Sequence, residues 1–198
     1  MAGASVRSAI SVLDQAGPPS AAPTREQSSD WRACLPILAA EDVVLREVQP
    51  GDAPALVSLL TTPEITRFLS TPPSDVQGFE RFILASQRMR AAGEAACFAV
   101  TLRGHDTAVG IFQVRRISPA ADAARQIGGA MDAAEWGFAI GSPFWGSGLF
   151  VQGARLVMAF AFEQLQVDRL EARAAAKNGR GQRALRKVGA VAEGVLRN

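Results

Sequence analysis

The chain is predicted to fold as a mixed α/β domain, and three features of its 198 residues carry that expectation. Short apolar or alternating runs bounded by Gly, Pro or Asp fill much of the first half and read as strands. The second half follows a strand–loop–helix–strand order, with a glycine-rich loop between the strand and the helix. Apolar residues make up 48% of the chain and the formal net charge is +2. That balance suits a single soluble core and is too small a charge to mark a nucleic-acid binder. A domain of roughly 150 residues buries such a core without metal or disulfide staples.

The elements follow in order. Residues 1–34 read as a flexible N-terminal tail, because 17–30 is Pro, Ser, Ala and charged residues without an apolar period. The folded domain is expected over 35–198, with no internal repeat. The opening run to Leu13 is too short and too soon followed by Asp14 and Gln15 for a signal peptide. No stretch reaches the roughly 20 apolar residues that cross a bilayer. A cytoplasmic protein without membrane association is therefore expected. Asp42 to Val48 alternates as a first strand, and Asp52 is placed to cap a helix with Ala53, Leu56, Leu59 and Leu60 on its buried stripe. Thr71-Pro72-Pro73 breaks the chain before a second amphipathic helix over 75–92, with Phe79, Phe82, Ile83 and Met89 at helical spacing. Residues 96–102 and 108–114 read as a hairpin turning at Arg103-Gly104-His105-Asp106, and 119–131 as an Ala- and Gly-rich loop. Then come a strand over 134–140, a long apolar helix over 149–165, a strand over 168–175, a basic helix over 179–188 and a last strand over 190–196.

Cys34 and Cys97 form no C-x-x-C pair and read as two reduced thiols. With His105 the sole histidine, and in a turn, no zinc or other metal site is expected.

Trp145-Gly146-Ser147-Gly148-Leu149 sits where a strand ends and a helix begins. Glycines let a ligand approach main-chain amides, and the first amides of the helix have no internal acceptor. The helix dipole adds positive potential, so the place suits a pyrophosphate. A nucleoside triphosphate loop would end in Gly-Lys-Ser/Thr, which is absent. A dinucleotide fingerprint needs a third glycine where Val151 stands. Glu171 does lie about 20 residues on, as that fingerprint asks, but inside the next strand rather than at its end. An acyl-CoA site is the third possibility, and a plain glycine-rich turn is the bland one.

Glu135-Trp136-Gly137-Phe138-Ala139-Ile140 followed by Phe144-Trp145-Gly146-Ser147-Gly148 resembles the cofactor motif of GNAT N-acetyltransferases. The RimJ/RimL-like branch, which acetylates amino groups of ribosomal proteins and other acceptors, is the most similar. Arg169-Leu170-Glu171-Ala172-Arg173, Asn178 and Leu185-Arg186-Lys187-Val188-Gly189-Ala190 resemble its second half. Leu35-Pro36-Ile37-Leu38, Val44-Leu45-Arg46 and Gly51-Asp52-Ala53-Pro54 resemble its opening. The resemblance implies a GNAT fold, a mixed central sheet flanked by helices, here lacking the last strand because the chain stops soon after Leu196. It also implies acetyl-CoA as co-substrate, bound by Phe138, Ala139, Ile140, Trp145, Gly146, Ser147, Gly148, Leu149, Phe150 and Asn178.

The generic loop of the family is Arg/Gln-x-x-Gly-x-Gly/Ala, so Trp145 and the bulky Phe150 depart from it, and Gly181 stands where the branch usually has Ser. The implied reaction is direct attack of an amine on the thioester, with a strand N–H near Phe138 stabilising the oxyanion. Glu135 is the candidate base, its carboxylate expected to be partly buried among Trp136, Phe138 and Phe144. The alternative is a structural Glu135 paired with Arg115 or Arg173. No tyrosine is present to protonate the leaving thiolate, a step that water can perform. Lys177, Arg180, Arg183, Arg186 and Lys187 either meet the 3′-phosphate of CoA or form a solvated helix face. The expected partner is an amine acceptor, a small molecule or a protein N-terminus, and an exposed sheet edge gives a reason for a homodimer. The rival reading is a non-catalytic acyl-CoA-binding or regulatory module.

Overall fold

Period-two apolar patterning in the first half becomes an antiparallel meander, and the glycine loop marks the change to parallel pairing. The computed structural model describes residues 7–13, 30–68, 73–117 and 132–196. The expected break at Thr71 and Pro72, the loop 119–131 and residues 14–29 of the expected tail lie outside the described residues. The strands are β1 Arg7–Leu13, β2 Leu38–Ala39, β3 Val43–Glu47, β4 Ala95–Leu102, β5 Gly110–Arg116, β6 Ala133–Ile140, β7 Arg169–Ala175 and β8 Val191–Leu196. The helices are α1 Ala53–Leu60, α2 Pro63–Thr66, α3 Val76–Ala91, α4 Leu149–Glu163 and α5 Gly179–Lys187.

One eight-stranded sheet runs in the order β2-β3-β4-β5-β6-β7-β1-β8. Pairing is antiparallel from β2 to β6, parallel between β6 and β7, and antiparallel again from β7 through β1 to β8. Two of these strands are not in the sequence reading, the short β2 and β1. Arg7–Leu13, expected in a flexible tail, is a strand in the sheet interior, and the position beside β7 belongs to it. Its alternation is too short to stand out locally, since what stabilises it is pairing with residues more than 150 positions away. Trp31, also assigned to the tail, is only 6% exposed and meets Phe160 edge-on, so the ordered packing begins before Leu35.

The two faces of the sheet build two cores. On one, Phe98, Phe112 and Trp136 pack with Val157 and Phe160 of α4, Leu165 just beyond it, and Leu185 of α5. The approach of α4 depends on Gly153, where a Cβ would fall 2.6 Å from the Phe112 ring. On the other, Cys97, Ala99 and Ala139 pack against Leu56 and Leu60 of α1 and Phe79 and Ile83 of α3. Helix α3 starts at its own signal: Asp75 accepts the Gly78 amide at 2.6 Å. Asp52 behaves otherwise than expected. It makes no side-chain cap for α1; its carboxylate takes Arg46 Nη1 and Nη2 at 2.8 and 2.7 Å and the Gln49 amide at 2.8 Å. A charged partner in half-buried surroundings outbids a neutral helix amide. Among the described residues no helix is long and apolar enough to cross a membrane.

Candidate active site

The site begins where β6 and β7 part. Their parallel ladder runs from Ala133↔Arg169 to Trp136↔Ala172 and stops there. β6 continues to Ile140 paired with β5 alone, while β7 continues to Ala175 paired with β1. Between Gly137 and Ile140 the main-chain groups that face β7 therefore border a gap rather than a neighbouring strand. Unpaired main-chain donors and acceptors are obliged to find partners, so an extended polar arm is a fitting occupant.

At the end of β6 the chain makes a short 3-10 turn, Ser142–Phe144, and enters the glycine loop. Gly146 and Gly148 have φ of +84° and +91°, the left-handed region that favours glycine, and a Cβ at either would meet nothing within 4 Å. The loop thus presents bare backbone to open space. Val151 and Gln152 both donate to Gly148 O, so the amides ahead of them, at the N-terminus of α4, lack an intrahelical acceptor. Added to the helix dipole, this arrangement fits a pyrophosphate. Trp145 Nε1 donates to Ile140 O at 2.8 Å and ties the loop back to the strand end. Ser147 Oγ donates to Phe144 O at 2.7 Å and is occupied within the loop.

The opposite wall is the turn after β7 and α5. Asn178 Oδ1 accepts the Gly181 amide at 2.9 Å and caps the helix. The departure at Gly181 has a local reason here: a Cβ would lie 2.7 Å from Asn178 Nδ2. The Arg180 guanidinium lies over the Trp145 ring, 4.2 Å from its centroid, and bridges the two walls. Together they enclose a cleft of about 750 Å³ lined by Phe138, Ala139, Ile140, Trp145, Gly146, Gly148, Phe150 and Asn178, with cations from Lys177, Arg180, Arg183, Lys187 and Arg67. Glu64 is the only carboxylate among the lining residues, and its own backbone N–H holds it below the usual carboxylate range.

Most of the residues expected to bind acetyl-CoA thus meet in one cleft. Two do not line it: Leu149 is buried in the core at 2% exposure, and Ser147 stands exposed on the loop. The Phe150 ring turns into an aromatic cluster, 4.4 Å from Phe138 and 6.0 Å from Phe112, centroid to centroid. Buried Trp136 belongs to the same cluster, and its Nε1 has no hydrogen-bond partner. Arg186 does not line the cleft, whereas the other four basic residues of that run do.

Glu135 lies outside the cleft lining. Alternation along β6 sends Trp136 and Phe138 to the α4 face, and Glu135 with Gly137 and Ala139 to the other. The expected apolar surround is therefore on the wrong side of the strand. Instead Glu135 sits between two guanidiniums, Arg115 Nη2 at 3.4 Å and Arg173 Nε at 3.6 Å. The sequence reading missed the part of the rim formed by Glu64, Arg67 and Phe68. Its signal was Thr62-Pro63, a proline at the first position of a short helix. Among the described residues no cluster of His, Cys, Asp or Glu could hold a metal ion.

The family profile described as "Acetyltransferase (GNAT) domain" matches residues 42–191. The chain is 25% identical over 159 residues to the uncharacterized N-acetyltransferase p20 of Bacillus licheniformis, covering 80% of this chain and 84% of that protein. Its fold is similar to Mycobacterium smegmatis RimJ in complex with CoA-disulfide, with TM-score 0.64, 19% identity, and 74% and 69% of the two chains covered. It is similar also to the ribosomal-protein-S5-alanine acetyltransferase of Vibrio fischeri, with TM-score 0.63, 14% identity, and 77% and 81% covered.

Proposed function

The chain belongs to the GNAT acetyltransferase family, and from that premise we propose that it moves an acetyl group from acetyl-CoA to a primary amine, a protein N-terminus or a small amine. The observation that carries the reading is the splay of β6 from β7 directly below the glycine loop. A pantetheine arm fits the gap as a pseudo-strand along Gly137–Ile140, and the pyrophosphate fits the amides that open α4. Arg180, Arg183, Lys177 and Lys187 supply the counter-charge. Trp145 occupies the place of the family's loop cation, and the guanidinium stacked on its ring restores that charge from α5.

In this reading the amine approaches from the α1/α3 face. There Gly137 leaves the strand uncovered, with nothing within 4 Å of where a Cβ would stand. Its nitrogen forms a bond to the thioester carbonyl carbon, a main-chain N–H near Phe138 stabilises the oxyanion, and the C–S bond breaks. Glu135, two residues from Gly137 on the same face, is roughly 7 Å away along the strand. It accepts the ammonium proton through water, while Arg115 and Arg173 keep the carboxylate in place. The thiolate takes its proton from solvent, since the chain has no tyrosine to give one.

Calorimetric titration with acetyl-CoA, run beside NADH and ATP, tests the cleft assignment; release of CoA across a panel of amines and N-terminal peptides then tests transfer. Selective acetyl-CoA binding followed by amine-dependent CoA release is the expected result. Selective binding with no release on any amine would turn the reading to an acyl-CoA-binding module. No binding to a folded sample would remove the acetyl-CoA assignment itself.

A further inference from the structure

The two walls of the cleft are unequally supported. β6 is paired with β5 from Arg116↔Ala134 to Gly110↔Ile140, the whole of its cleft-facing half included. β7 leaves β6 at Trp136↔Ala172. Beyond that point Arg173–Ala175, the wall across from Phe138–Ile140, has β1 as its one sheet neighbour among the described residues. β1 covers β7 from Leu13↔Arg169 to Arg7↔Ala175. On its other side it carries β8, whose one ladder among the described residues, from Ser11↔Val191 to Arg7↔Leu196, is with β1. Lys177 and Asn178 follow β7 directly, so what fixes Ala175 also fixes the start of α5 and its cations.

We propose that residues 7–13 are a working part of the acetyl-CoA site: β1 is the strap that sets how far β7 stands from β6 and seats α5 and β8. The inference rests on the acetyl-CoA reading of the cleft, and it extends the site to a segment outside the matched residues 42–191. Splayed strands gain no mutual hydrogen bonds across the gap, so the opening is stable only if each wall is paired on its outer side. β5 does this for β6, and β1 does it for β7. The strap belongs to the same chain. From β1 to β2 the sheet order is six strand spacings, about 29 Å. The described residues resume at Asp30, and the link of residues 14–29, fully extended, reaches about 55 Å.

Two variants of the full chain test this. In a Cys34→Ser background, Ser8→Cys with Val195→Cys puts two thiols at paired positions of the β1–β8 ladder. Mild oxidation is expected to join them within one chain, read as a linked peptide from monomeric protein. A dimeric product, or none, would overturn the strap as drawn. Ser11→Pro removes a main-chain donor from the middle of β1, where Glu171 flanks it on one side and Val191 on the other, and puts a proline where a central strand does not accept one. Amide exchange is expected to accelerate in 169–175 and 191–196 while 95–102 and 110–116 keep their protection. Acetyl-CoA affinity is expected to fall by roughly tenfold or more, a loss of at least one hydrogen-bonded contact's worth of geometry. A synthetic peptide of residues 7–13 added in trans is expected to recover part of it. Unchanged exchange in 169–175 would show that β1 does not hold β7. If the parent chain does not bind acetyl-CoA, the acetyl-CoA reading falls, while crosslinking and exchange still judge the strap independently.

Discussion

On the proposed acetyl-CoA reading, Arg180 supplies the charge that Trp145 does not carry. Trp145 carries no charge, yet its Nε1 anchors the loop to Ile140 O and its ring seats the guanidinium of Arg180 at 4.2 Å. A cation over an indole at a half-open site is worth about 1 kcal/mol. Removing the charge as well as the contact in Arg180→Ala is expected to weaken acetyl-CoA binding by about fivefold to tenfold. Arg180→Lys should recover part of that, and titration calorimetry reads both. Equal affinity for the parent and Arg180→Ala would mean that the guanidinium only covers the ring. Glu135 asks a different question, because its two ion pairs give it a structural task whether or not it moves a proton. Glu135→Gln keeps the shape and removes the base. If Glu135 accepts the ammonium proton, kcat is expected to fall about a hundredfold or more while the acetyl-CoA dissociation constant stays as it was. An unchanged kcat would leave it a spacer between Arg115 and Arg173.

Elements were legible where their signals are local. Helix α3 is announced by Asp75 and by apolar residues at helical spacing, and it forms over Val76–Ala91 with that cap in place. Asp75→Ala is expected to cost about 1 kcal/mol, a fall of roughly 2–4 °C in Tm for a chain of this size. Asp52 carries the same residue type at the same kind of position, and the cap reading fails there because Arg46 is within reach. That pair is bidentate, Asp52 is 6% exposed, and the guanidinium is held well above its usual range chiefly by the hydrogen bond to Asp52. Asp52→Asn is expected to cost roughly 2–3 kcal/mol, below the full penalty for breaking a buried pair. Asp106, which accepts from Arg46 Nε at 2.5 Å, remains to share the charge. Chemical denaturation reads this directly, and a cost near zero would mean that Asp106 alone satisfies Arg46. A strand such as β1 is of another kind. Nothing within 7–13 names its partners, because they lie in β7 and β8 at the other end of the chain. For the same reason the pairing of Glu135 with Arg173 was open in the sequence, which gives residue types but not which strands adjoin. The glycine loop was legible because strand end, turn and helix start are contiguous.

At the scale of the molecule, the sheet divides two apolar cores, and the two cysteines stand in opposite surroundings, one exposed and one buried in a core. Cys34 is exposed near the start of the ordered packing, while Cys97 lies on β4 beneath α3 at 2% exposure. Burial pushes the Cys97 thiol up from 9.0 to about 12, with Glu47 and Asp52 adding in the same direction and Ser86 opposing. A pKa raised on folding means that the folded state holds the proton more tightly than the unfolded one. The stability this contributes is complete below about pH 9 and is lost as pH rises towards 12. The thermal midpoint of the parent chain is thus expected to fall through that window more steeply than that of Cys97→Ala, which has no thiol to titrate. The comparison of slopes, rather than of absolute midpoints, removes the cost of the small cavity the substitution leaves. At pH 8 the folded protein should take up one equivalent of a thiol reagent, at Cys34, and a second only after denaturation. Uptake of two by the native chain would mean that α3 lifts from the sheet on the timescale of labelling. The core beneath α1 and α3 would then be the more weakly held of the two, and the alkaline transition would report opening of that layer rather than unfolding of the whole.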